Sequence, residues 1–203
     1  MTQRLVIATR SAHKLGELRE LLRLRRTELV SLDDLGVAGD VVEDGETFEA
    51  NAELKARFAA AATGLPALAD DSGLEVDALS GGPGVRTRRY AGPDATDDDN
   101  NRKLLAALAG QPSERRTAQY VCVLALVQPR DASVRLARGT CRGRIAVAPR
   151  GSAGFGYDPI FEPEAEPPGG RTFGLYSAPE KNAISHRAAA ATSMAAILRE
   201  LGF

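Results

Sequence analysis

Leu65-Pro66-Ala67-Leu68-Ala69-Asp70-Asp71-Ser72-Gly73-Leu74 is the stretch on which the reading of this chain turns. The apolar run from Leu65 to Ala69 reads as a buried strand, and it stops at two adjacent carboxylates followed by a hydroxyl and a glycine. Acidic side chains at the carboxyl end of a buried strand stand where α/β sheets hold ligands. Side chains alternate across a strand, so Asp70 and Asp71 should point in different directions. One of them is then the working residue, and Asp71, nearer the turn, is the choice. It would hold Mg2+ or take a proton from water. Taken alone, Asp-Ser-Gly also suits an ordinary turn, so the rest of the chain has to decide.

Two hundred and three residues make one domain or two tightly joined lobes, enough for a proper core. With 43% hydrophobic residues and a net charge of −1, the composition is that of a soluble globular protein. A near-zero charge argues against a broad nucleic-acid or membrane-surface face, though a local basic pocket remains open. The first residues run directly into a short strand rather than a charged-then-apolar signal, and no stretch approaches a membrane span. Cys122 and Cys141 have no metal-type spacing and read as buried thiols. A cytoplasmic location is expected.

Arg4 to Thr9 reads as a strand and Lys14 to Leu24 as a helix with Leu15, Leu18, Leu21 and Leu22 on one face. The turn between them, Thr9-Arg10-Ser11-Ala12-His13-Lys14, presents backbone N–H groups and a lysine in a layout that suits phosphate. It lacks the glycines of a Walker loop. A second strand is expected over Glu28 to Leu32, and a helix capped by Thr47 over Phe48 to Ala62. After Gly81-Gly82-Pro83-Gly84 come Arg86, Arg88 and Arg89, which suit a polyphosphate clamp, surface charge or a subunit contact equally. Thr96 should cap a helix from Asp97 to about Ala109, whose acidic start (Asp97, Asp98, Asp99) suits the helix dipole and is read as structural.

From residue 115 the pattern changes to consecutive strands: Thr117 to Gln128, Ser133 to Gly139 and Cys141 to Ala148. Strands alternating with helices, then strands in series, predict a mixed, twisted α/β sheet with flanking helices, in two lobes around a central cleft. Glu162 to Gly170 has the composition of an exposed loop. Before it, Gly154 and Gly156 flank Phe155, which allows backbone close to a flat ligand and a ring to stack on a base. A core aromatic turn is the plainer alternative. Tyr157 and Asp158 add hydrogen-bonding groups. Near the end, Ser185 is a good N-cap for an alanine-rich helix, which places His186 and Arg187 on its first turn, close behind Lys181. Donors gathered there suit an anion or a carbonyl oxygen.

Together these pieces resemble the inosine triphosphatase family of nucleoside triphosphate pyrophosphatases, nearly end to end. The matching segments are the Thr9-to-Lys14 turn, TF..NA..KA (Thr47, Phe48, Asn51, Ala52, Lys55, Ala56), ADDSGL (69–74), PG....RY.G (83–92), GFGYDPIF (154–161) and EK.AISHR (180–187). The resemblance implies hydrolysis of inosine, deoxyinosine and xanthosine triphosphates at the α–β bond, by an Mg2+-dependent homodimer that cleanses the nucleotide pool. It implies Asp71 as proton acceptor and metal-associated residue, and Ser72 as a substrate contact. It implies Thr9, Arg10, Ser11, Ala12, His13 and Lys14 at the phosphates with Lys181. Phe155, Gly156, Tyr157 and Asp158 would enclose the base with His186 and Arg187. A 6-oxo purine offers such donors an acceptor, whereas adenine's amino group leaves them unpaired.

Three departures from the family pattern stand out. Ser11 replaces an asparagine in the first turn. The family's metal-linked glutamate falls on Ala50, and neighbouring Glu49 is turned by about 100° around the helix. Arg86, Thr87 and Arg88 replace the commoner Tyr-Ser-Ala. Two other functions compete with the pyrophosphatase: a metal-dependent phosphatase releasing orthophosphate, and a nucleotide sensor without catalysis.

Overall fold

The computed structural model describes residues 2–129 and 131–203. Six strands form one sheet in the order β2-β1-β3-β4-β5-β6. Numbered along the chain they are β1 Gln3–Ala8, β2 Thr27–Ser31, β3 Ala67–Val76, β4 Thr117–Gln128, β5 Asp131–Ile145 and β6 Phe161–Pro163. β1 pairs in parallel with β2 and β3, and β5 with β6 antiparallel, so the sheet is mixed as expected. Parallel neighbours need crossovers. α1 (Ala12–Leu22) and α2 (Phe48–Thr63) supply them, and α3 (Asp97–Ala107), α4 (Ala178–Ile184) and α5 (His186–Glu200) complete the helices. Among the described residues no helix is long and apolar enough to cross a membrane.

The chain divides into two compact units. One takes the chain up to Ser72 with Cys122–Gly139 and Arg187–Phe203; the other takes Gly73–Val121 and Thr140–His186. In the first unit Leu5, Ile7 and Leu68 of the sheet pack with Leu18 and Leu22 of α1 and Met194 and Leu198 of α5. In the second, Leu74 and Tyr120 pack with Leu104 of α3 and with Phe161 and Phe173. Both cysteines are free and buried, as expected.

The decisive stretch is not a turn. The strand expected to stop at Asp70 and Asp71 continues, and β3 runs from Ala67 through Asp70, Asp71, Ser72 and Gly73 to Val76. The carboxylates stay in the strand because each finds a cation: Asp70 meets Lys14 and Arg187, and Asp71 meets Lys55. Their opposite directions follow from the alternation of the strand.

Other differences are local. The strands expected over Ser133 to Gly139 and Cys141 to Ala148 are one continuous β5. Lys181 lies on α4, a short helix the sequence reading passed over, which begins with a capping box between Ser177 and Glu180. Ser185 ends that helix and stands, with extended backbone, immediately before α5. Glu162 and Pro163 are buried rather than part of an exposed loop, because Glu162 is ion-paired with Arg144 and Arg150. Arg86, Arg88 and Arg89 are exposed on a 3-10 turn.

Candidate functional site

In the first unit, β3 carries two charge clusters on opposite faces. Asp70, 1% exposed, is saturated. Its Oδ1 accepts from Lys14 Nζ at 2.5 Å and from Ser72 Oγ at 3.0 Å. Its Oδ2 accepts from Arg187 Nε at 2.9 Å and from Cys122 Sγ at 3.1 Å. Burial alone would push this carboxyl up, but Arg187 and Lys14 together hold it well below the usual range. Burial and the Asp70 charge push the Cys122 thiol up, which keeps it a donor. The Arg187 guanidinium is shared among Asp70, Ser72 Oγ at 2.9 Å and Glu17.

On the other face Asp71 Oδ1 accepts from Lys55 Nζ at 2.8 Å, and Glu43 Oε1 lies 3.4 Å from the same ammonium. Burial raises the Asp71 carboxyl above its ordinary value; Lys55 opposes this and Glu43 adds to it. Lys55 is itself raised, the attraction of Asp71 and Glu43 outweighing its burial. A buried carboxylate raised in this way is suited to accept a proton. The loop bearing Glu43 is closed by Asn51, which accepts from the Gly45 N–H at 2.9 Å and donates to the Gly45 carbonyl at 3.3 Å. A Cβ at Gly45 would come within 2.6 Å of Asn51 Oδ1, so a side chain there would displace Asn51.

Among the described residues no three of His, Cys, Asp and Glu form a metal cage. Mg2+ does not need one: it takes one or two carboxylates and draws its other oxygens from water and substrate phosphates. Asp71 and Glu43, facing one ammonium from two segments, are a donor set of that kind. Glu49 is instead ion-paired with Arg138 at 2.6 Å.

The turn after Thr9 leads into α1, which begins at Ala12 rather than Lys14 because Ser11 caps it. Ser11 is its N-cap, accepting from the Lys14 N–H at 3.4 Å, and Thr9 Oγ1 accepts from the Ser11 N–H at 3.2 Å. Ala12 opens the helix and His13 is exposed on its first turn. Arg10 turns away to the next loop, where it binds Asp33 and the carbonyls of Val37 at 2.8 Å and Gly39 at 2.5 Å.

In the second unit the Gly154–Asp158 loop is built around one buried carboxylate. Asp158 Oδ2 accepts from the Phe155 N–H at 2.9 Å and from Lys181 Nζ at 2.6 Å, while Oδ1 accepts from Tyr120 OH at 3.3 Å. The Lys181 ammonium lies 4.7 Å from the centre of the Phe155 ring. His186 stacks on Tyr120 with ring centres 4.7 Å apart. Gly154 has φ +76°, and a Cβ there would fall 2.0 Å from Asp158 Oδ2. Gly154→Ala should therefore displace that carboxylate and weaken its hold on the Phe155 N–H and Lys181. A loss of at least about 2 kcal/mol is expected from the left-handed backbone and the overlap together. Thermal denaturation would read this as a fall of roughly 4 °C or more.

The residues singled out in the sequence thus divide between the units. Lys14, Asp71, Ser72 and Arg187 belong to the first with Thr9 to His13; Phe155 to Asp158, Lys181 and His186 belong to the second. Arg187, expected near the base, is held by Asp70, Glu17 and Ser72. Glu43, Asn51 and Lys55 were missed as site residues. Lys55 carried a signal: it sits on the stripe of α2 that buries Phe48, Ala52, Ala56 and Ala59, where an apolar side chain would be expected.

The comparisons with known proteins agree among themselves. A dITP/XTP pyrophosphatase of Syntrophobacter fumaroxidans is 51% identical over 90% of this chain and 76% of its own length. One from Frankia alni is 48% identical over 98% of both. Among solved structures, a HAM1 protein from Coxiella burnetii superposes with a TM-score of 0.88 at 43% identity, covering 98% of this chain and 99% of that one. The nucleoside-triphosphatase / dITP/XTP pyrophosphatase of Mycobacterium abscessus gives 0.77 at 43% identity, over 97% and 99%. The Ham1 family model matches residues 5–197, and this chain belongs to that family.

Proposed function

We propose that this chain hydrolyses deaminated purine nucleoside triphosphates (ITP, dITP and XTP) to the monophosphate and pyrophosphate, and so removes them from the nucleotide pool. The observation that carries the reading is the buried carboxylate of Asp71 on β3, hydrogen-bonded by Lys55 with Glu43 facing the same ammonium. Relatives that match over nearly the whole chain are dITP/XTP pyrophosphatases, which supports the substrate class.

Asp71 is the base. A water oxygen bonds to the α-phosphorus as the bridging bond to the β-phosphoryl breaks; pyrophosphate leaves with that electron pair, and the water's proton passes to an Asp71 carboxylate oxygen. Lys55 restrains that oxygen and supplies positive charge beside it. Lys14, aimed by the saturated Asp70, binds phosphate oxygens with the N–H groups at the start of α1. Asp71 and Glu43 would hold Mg2+, which neutralises triphosphate charge and polarises the phosphorus. Glu43 thereby takes over the carboxylate role that Ala50 lacks. The Phe155–Asp158 loop, with Lys181 and His186, receives the base; a ring beside an ammonium and a buried carboxylate gives it one stacking face and fixed polar neighbours. The motif resemblance also supports a homodimer, the two buried thiols suit a cytoplasmic location, and the net charge of −1 argues against nucleic acid or a membrane surface as partner.

Product analysis tests this. With Mg2+, ITP should yield IMP and pyrophosphate, faster than ATP or GTP is cleaved, and a chelator should stop the reaction. Orthophosphate as first product would favour a phosphatase. Tight ITP binding without Mg2+-dependent turnover would favour a sensor, and either result overturns the proposal. Light scattering on the same sample should give twice the chain mass.

A further inference from the structure

Gly156, in the middle of the Phe155–Asp158 loop, is gripped on both sides by α3. Its N–H donates to Asp97 Oδ2 at 2.7 Å, and its carbonyl accepts from Asn101 Nδ2 at 3.0 Å. Residues four apart lie one above the other on a helix, so Asp97 and Asn101 form a two-pronged clamp on one peptide segment. The neighbouring groups are fixed from elsewhere. Asp158 takes the Phe155 N–H, and the Tyr157 hydroxyl donates to the Thr87 carbonyl at 2.8 Å. Thr87 Oγ1 in turn accepts from the Leu74 N–H of β3 at 3.1 Å. Every link of this chain lies within the second unit.

The acidic start of α3 suits the helix dipole, and Asp98 and Asp99 need no other explanation: Asp99 completes a capping box with Thr96. Asp97 differs, because its carboxylate is directed to a loop 59 residues away. The polar groups of Gly156 and the Phe155 N–H are held by the protein, and the half-buried Phe155 ring lies beside the Lys181 ammonium.

We propose that Asp97 and Asn101 are positioning residues for base recognition, holding Gly156 so that the Phe155 ring is in place before the purine arrives. The inference rests on the assignment of this loop to the base. A loop ordered in advance spares the ligand the entropy of ordering it. Loss of the clamp should therefore weaken purine binding while sparing the chemical step at Asp71.

The test is steady-state kinetics with Mg-ITP and Mg-GTP. Asp97→Ala should raise KM for ITP by about tenfold, the worth of one charge-assisted hydrogen bond, and leave kcat within about twofold. The KM for GTP should rise by a similar factor, because a stacking ring meets both purines alike. Asp97→Asn keeps an acceptor oxygen for the Gly156 N–H and should restore most of the loss. Asp98→Ala removes the same helix-start charge without touching Gly156 and should match the unaltered protein. If Asp97→Ala does not fold, Asn101→Ala should show the same split between KM and kcat. Unchanged KM in a folded Asp97→Ala, a fall in kcat alone, or the same loss in Asp98→Ala overturns the clamp. Phe155→Ala separates the two claims. Raised KM there with a silent Asp97→Ala removes only the clamp, and unchanged KM there removes the assignment of the loop to the base.

Discussion

Asp71→Asn should fold, bind ITP within about tenfold of the unaltered protein, and lose turnover by roughly a thousandfold or more. The substitution is nearly isosteric, and the asparagine Oδ1 still accepts from Lys55, which donates to Asp71 Oδ1 at 2.8 Å. Glu43 remains as a counter-charge for that ammonium, so an unpaired buried cation is avoided. What disappears is the basic oxygen and its negative charge. The raised carboxyl of Asp71 is the feature that makes it fit to take a proton, and an amide takes none. Affinity should survive because phosphate binding is assigned to Lys14 and the start of α1, whose supporting carboxylate is Asp70 on the other face of β3, and because Glu43 and the asparagine oxygen remain to hold the metal ion. Single-turnover kinetics and equilibrium binding on one preparation read both quantities, with a melting curve to establish folding. Activity within tenfold of the unaltered protein would remove Asp71 from the mechanism. Loss of binding in step with turnover would make its role one of binding rather than chemistry.

How far the sequence could be read depended on whether local chemistry or remote partners decided each feature. Thr47 and Thr96 were legible as caps because capping is local, and both accept the N–H three residues on. The alternation that set Asp70 against Asp71 was legible for the same reason. The continuation of β3 through Asp-Asp-Ser-Gly was not. Its local signal favours a turn, and what overrides it are Lys14, Lys55 and Arg187, which lie 56, 16 and 117 residues from their partners. Glu162 was misread for a similar reason: its composition is that of a loop, and the arginines that bury it are in β5 and beyond. Lys55 was within reach, since a lysine on an alanine stripe breaks the pattern of the helix. Asp97 was not, because its partner is a backbone N–H that no side-chain pattern reveals.

Arg187→Met should strongly destabilise the first unit. Arg187 and Asp70 are each 1% exposed, and the guanidinium also serves Ser72 and Glu17. Methionine fills much of the volume yet leaves a buried carboxylate with Lys14, Ser72 and Cys122 as its remaining donors. Breaking one side of a buried pair costs about 3–5 kcal/mol. In a chain of this size each kcal/mol moves the melting temperature by about 2–4 °C, so a fall of roughly 6–20 °C is expected. The sign with pH follows from the depressed carboxyl of Asp70, which contributes stability above its unfolded pKa and loses it as pH falls through the folded value. The gap between the variant and the unaltered protein should therefore be present at neutral pH and close in acid. Arg187→Lys should lie between the two, because an ammonium keeps the charge but cannot span Asp70, Ser72 and Glu17 as the planar fork does. In the double variant with Asp70→Asn the loss should fall short of the sum of the two single losses, since the stranded charge is gone. A melting temperature for Arg187→Met within about 2 °C of the unaltered protein at neutral pH would contradict a structural role, and would return Arg187 to the substrate side of the site.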